Sequence, residues 1–196
     1  MTHPEILLVP ILMLADYFLT VCGAGLAERG YRKRFQVEHY ELNPLWQRDI
    51  AKRKLVNVRH LLAVLLATSC FLLLAETALI DEALLSALLG FVLVLNAFIL
   101  GRHLSNLLTF HHVLKSPDHV SGQVVLAHPF VLSLALYQSL AVTFPLVLIA
   151  IFSPSPFVFG GLGSIITLSV LQLWWLRQAS GRTANQSDQA GDKVQM

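Results

Sequence analysis

Residues 83–101 read ALLSALLGFVLVLNAFILG, 19 consecutive positions without an acidic or basic side chain. As a helix rising 1.5 Å per residue this run covers about 28 Å, close to the hydrocarbon thickness of a bilayer. It has no polar face to offer water, so its natural solvent is lipid. Outward from it, hydropathy marks a first span over about 6–27, a second over about 56–78, a third over about 83–110 whose last turns are polar, a fourth over about 129–152 and a fifth over about 157–176. Pro129 suits a first helical turn, Pro145 should kink the fourth helix, and Ser153–Pro156 reads as a turn. The expected fold class is all-α, a polytopic transmembrane bundle of five spans forming one domain over residues 1–176.

Composition agrees. The 196 residues are 55% hydrophobic and 13% charged, whereas a soluble domain carries roughly 25% charged residues. That excludes a water-soluble fold with a single small core. The opening MTHPEILLVPILML lacks a basic n-region, so the first span is expected to be retained. Cys22 and Cys70 both sit in apolar runs and are expected to form no disulfide.

Positive charge sets the orientation. All 14 lysines and arginines fall on one side of a five-span arrangement: nine from Arg29 to Arg59, then Arg102 and Lys115, then Arg177, Arg182 and Lys193. Cytoplasmic loops carry this excess. The amino terminus is therefore expected outside, the carboxyl terminus in the cytoplasm, and the chain in the inner (plasma) membrane as a multi-pass protein. Residues 28–55 form a cytoplasmic basic loop in which Asn43 and Pro44 start a short interfacial helix through Asp49. Residues 177–196 lack large apolar side chains and are expected to be a disordered tail, with Trp174 and Trp175 as an interfacial anchor before it.

Ionisable groups inside spans are costly and mark the first place to look for function. Asp16 lies near the middle of span one, and Thr20, Gly23 and Ala27 share its helical face. Asn96, Arg102, His103 and Asn106 occupy one stripe at the cytoplasmic end of span three, and Arg59 and His60 open span two. The loop segment FQVEHYELNPLWQRDI, residues 35–50, adds Glu38, His39, Glu41 and Asn43. His111, His112 and His119 are expected on a solvated loop. The competing structural explanation is that these groups snorkel or neutralise one another.

Asp16 and Thr20 in the first helix, followed by Glu41-Leu42-Asn43-Pro44, resemble a group of small prokaryotic multi-pass membrane proteins. The stretch GRHLSN, residues 101–106, looks similar to bacterial membrane sequences as well. The long basic insertion between Thr20 and Glu41 departs from the compact form of that group. The resemblance implies a bacterial inner membrane and one composite polar site, without an activity.

The leading functional expectation is a ligand-binding pocket at the cytoplasmic boundary, with Asp16, Thr20, Asn43, Arg59, His60, Asn96, Arg102 and Asn106 holding the ligand. Its guanidiniums suit an anionic lipid headgroup, and its acids suit a cation. In an enzymatic form Glu38 or Glu41 would act as base, with His103 beside them. Glu38, His39, Glu41 and His60 are candidate ligands for zinc or iron, although no HExxH or paired Glu-x-x-His spacing supports them. No serine or cysteine is set up as a nucleophile. Expected partners are membrane lipids, anionic headgroups above all, and a homo-oligomer or larger membrane complex; no nucleic acid is expected. Two other classes remain open: a proton or ion transporter component using Asp16 and His60, and an accessory scaffold subunit. The composite site requires the loop at Glu38–Asn43 to fold back against span three.

Overall fold

The computed structural model describes residues 3–29, 33, 35–37, 49, 50, 52, 54, 56–77 and 79–192. Its architecture is helical. A short 3-10 turn, Pro4–Leu7, leads into α1 (Leu8–Glu28), followed by α2 (Val58–Thr77), α3 (Glu82–Lys115), α4 (His128–Phe152) and α5 (Pro156–Asp192). Five segments are long and apolar enough to cross a membrane: Pro4–Leu26, Val58–Thr77, Glu82–Lys115, His128–Phe152 and Pro156–Ala179. Between 17% and 28% of each apolar window is buried inside the protein. The remaining surface, with Leu66, Phe144, Phe152 and Val170 largely exposed, needs a non-aqueous solvent.

The helix ends follow local chemistry. Asp81 caps α3 by accepting from the Leu84 amide at 2.7 Å, and Ala127 precedes α4 with proline in its first turn. Asn57 starts α2, its side-chain oxygen accepting from the Arg59 amide at 3.0 Å. Two helices overrun their expected ends. α3 continues from 110 to Lys115, because nothing before Ser116-Pro117 breaks it, so His111 and His112 are helical instead of on a loop. α5 continues to Asp192, so the fifth helix does not stop at 176 and its backbone enters the expected tail.

One element was not legible in the sequence. Phe35–Val37 and Val124–Leu126 form a parallel two-stranded pair, Phe35 opposite Val124 and Val37 opposite Leu126. Three residues are too few for alternation to show. The pair ties the segment after α1 to the segment before α4, at the end of the bundle where the basic residues gather; we call this the basic end.

The helices form a row. α3 packs on α1 and on α5, α5 packs on α4, and α2 leans on α1. Away from the basic end, Ile6, Val9, Phe71, Leu85, Leu89 and Leu93 make one buried cluster across α1, α2 and α3. The α3–α5 contact is closest at Gly90 and Gly160. A methyl group on Gly90 would overlap the Phe157 backbone, and one on Gly160 would overlap the Ala87 backbone. Small residues permit such approach where there is no hydrophobic drive between helices. Hydroxyls are mostly satisfied within their own helices: Thr68 donates to Val64 O, Thr143 to Ser139 O and Ser169 to Ile165 O.

Candidate functional site

α1 carries polar groups in its middle, and its neighbours meet it there. Asp16 is 12 residues past Pro4 and 10 before Leu26, about 18 and 15 Å from the ends of that span. On the α3 side, His103 Nε2 lies 3.3 Å from Asp16 Oδ1, with side chains 17% and 27% exposed respectively. His103 follows directly after the uncharged run 83–101 and Arg102. The contact therefore forms where α3 turns polar. Arg102 stacks its guanidinium 5.8 Å from the Phe98 ring centroid, one turn back. Thr20 is buried, and its hydroxyl donates to the Asp16 carbonyl at 2.8 Å.

On the α2 side a second cluster forms around Tyr17 and His60. Their rings stack with centroids 4.6 Å apart and planes 22° from parallel, and His60 Nε2 donates to the Met13 carbonyl at 3.1 Å. The Tyr17 hydroxyl donates to the Lys54 carbonyl. Asn57 Nδ2 donates to Asp49 Oδ2 at 3.0 Å, and Arg59 sits 3.7 Å from the same oxygen, 68% exposed. Ile50 is buried against Tyr17, Val21 and Ala24. The chain entering α2 thus runs back along α1, so that α2 begins beside the middle of α1 and not beside its end.

Several sequence-expected residues are brought together and others are not. Asp16 and His103 meet at the α1–α3 interface, Thr20 bonding to the Asp16 carbonyl within α1 and Arg102 lying beside Phe98 within α3. Arg59 and His60 contact Asp49 and the Met13 carbonyl instead. Asn96 donates to the Val92 carbonyl of its own helix at 2.8 Å, and Asn106 is exposed. Glu38, His39, Glu41 and Asn43 lie outside the described residues, as do residues 43–48 of the expected interfacial helix.

For the metal expectation, His60 points a ring nitrogen at a backbone carbonyl. Among the described residues no group of three or more His, Cys, Asp or Glu side chains is placed to hold a metal ion. The described residues do not fit zinc or iron, and no metal enters the function proposed below.

Sequence reading missed Tyr17, Asp49, Asn57 and Met13 O. Tyr17 had a signal, since it neighbours Asp16. Asn57 is one residue before the first apolar run of α2, a capping position. It also missed Ser139 and Gln172, both fully buried between α4 and α5 and joined by a 2.6 Å hydrogen bond. Gln172 lies inside the fifth span, and a single amide in an apolar run gives no sign of what stands opposite it.

The arrangement is a polar layer threaded by α1. Its charges are Asp16, Asp49, Arg59 and Arg102, with Lys52 and Lys54 exposed next to it. Two lysines thus add positive charge to a set in which the two acids offset the two arginines. Such a layer can hold an anion from the arginine side, and its Asp16–His103 contact can exchange a proton. No family model matches the chain, and no curated protein or solved structure is similar to it at a significant level.

Proposed function

We propose that this chain is a five-span protein of the bacterial inner membrane, amino terminus outside and carboxyl terminus cytoplasmic, that binds an anionic lipid headgroup at the polar layer around α1. The observation that carries the reading is the contact of His103 with Asp16 where the uncharged run of α3 ends, with Arg102 next to His103 in the sequence. A long arginine side chain at the end of an apolar run carries its guanidinium away from mid-span toward the level of the phosphates. Arg59, exposed at the start of α2, and the nearby Lys52 and Lys54 extend the positive surface. A guanidinium offers a phosphate two parallel donors, which an ammonium does not. The sequence assigns all 14 lysines and arginines to the same side of a five-span arrangement, which supports the orientation.

Native mass spectrometry of the detergent-purified protein, titrated with phosphatidylglycerol or phosphatidylcholine, tests the reading. Wild type should retain phosphatidylglycerol preferentially, and the Arg59→Gln/Arg102→Gln variant should lose about tenfold in that preference, the size of one or two charge-assisted hydrogen bonds. Equal retention of the two lipids would end it.

One observation favours a second reading. A carboxylate and an imidazole in contact between two apolar helices are the parts of a proton relay. Proteoliposomes loaded with a pH-sensitive dye separate the two: a proton flux abolished by Asp16→Asn would make proton movement the function.

A further inference from the structure

Gln138 is a polar group of the bundle that the layer around α1 does not use. Gln138 is 10 residues past the start of α4 at His128 and 14 before its end at Phe152, about 15 and 21 Å along the axis. It is exposed, as are Tyr137, Ala141 and Pro145. The opposite face of the same helix is the buried one: Leu132, Ala135, Leu136 and Ser139 face α5, where Ser139 meets Gln172. α4 is the end of the helix row, its packing dominated by α5. Gln138 therefore points outward from the bundle at a depth where the solvent is hydrocarbon.

An amide carries two donors and one acceptor oxygen, and lipid tails answer none of them. Pro145, two turns beyond Gln138, has no N–H to give the Ala141 carbonyl. Ala141 is small enough to let another backbone come close. The chemistry of this face is self-complementary. Two copies facing each other across a two-fold axis would each donate from Gln138 to the other's amide oxygen, the closed, isologous contact typical of homodimers.

We infer that the outward face of α4, centred on Ala141 and flanked by Tyr137 and Gln138, is a homodimer interface within the membrane. The inference rests on the chain crossing the bilayer and not on headgroup binding, so lipid retention can fail while the dimer stands.

The test is cysteine cross-linking in native membranes, in a background with Cys22→Ala and Cys70→Ala. Gln138→Cys and Ala141→Cys should form disulfide-linked dimers under mild oxidation, and Val170→Cys, on the exposed side of α5, should not. Single-molecule photobleaching in lipid is the second measurement. Gln138→Leu should weaken dimerisation roughly three- to thirty-fold per hydrogen bond lost, and Gln138→Asn should largely restore it. Strong cross-linking at Val170→Cys alone, a dimer fraction unmoved by Gln138→Leu, or a wild-type protein that bleaches in one step would each overturn the inference.

Discussion

The two sides of α3 are built on opposite principles. Toward α5 it presents Ala87 and Gly90, and the backbones approach until no methyl group would fit. Toward α1 it presents His103, which meets a carboxylate with both side chains still partly exposed. The first contact is dry, apolar and tight. The second is polar and more open, between helices apolar enough to cross a membrane. Stability favours the first kind of contact, since in lipid helices adhere by close packing. A sequence that keeps the second kind as well is accepting its desolvation cost, which is why function is sought there. If the comparison is right, damage to the two sides should be felt differently, in folding on one and in ligand handling on the other.

The largest expected effect is at the tight side. Gly90→Ala should destabilise the protein by about 3 kcal/mol, because the Phe157 backbone has to move, seen as a melting temperature lower by roughly 6–12 °C in detergent. Gly101, on the same helix with open space around it, is the control: Gly101→Ala should leave stability unchanged or raise it by up to about 1 kcal/mol. Equal losses at both glycines would mean that helix propensity, not close approach, governs the α3–α5 contact.

Next comes the polar side. A double-mutant cycle on Asp16→Ala and His103→Ala should show a coupling of about 1–2 kcal/mol, whereas Asp16→Ala and His60→Ala should be additive to within about 0.5 kcal/mol. Chemical denaturation measures both. Coupling of Asp16 to His60 would redraw the site as one pocket across α1.

Smaller again is the cap at the start of α2. Asn57→Ala removes the acceptor for the Arg59 amide and the donor to Asp49, and should cost about 1 kcal/mol. The smallest effect belongs to the buried polar pair of α4 and α5. Ser139→Ala should lose about 0.6 kcal/mol, the usual size of a hydrogen bond between helices in lipid. A loss several times larger would make that pair a site in its own right.

Much of this is legible in the amino-acid sequence alone. Long uncharged runs located all five helices, since the requirement for lipid acts on each segment separately and leaves its mark in composition. Asp16, His103 and Arg102 stood out for the same reason: an ionisable side chain in an apolar run is conspicuous. The shared stripe of Asn96, Arg102, His103 and Asn106 was a poorer guide. Asn96 bonds to its own helix and Asn106 is exposed, because periodicity tells which residues share a side but not what stands opposite them.

By itself, then, the sequence determined the five long apolar helices, the loops in which positive charge collects, and the identity of the groups too polar for their surroundings. Tertiary structure alone decided which of those groups meet. It set His103 rather than His60 against Asp16, placed His60 on Tyr17 and the Met13 carbonyl, brought the chain before α2 back along α1, and left Gln138 facing outward. Hydropathy is a property of one segment and can be summed along the chain, whereas a contact between helices depends on their rotation, depth and neighbour, and those emerge only when five segments pack at once.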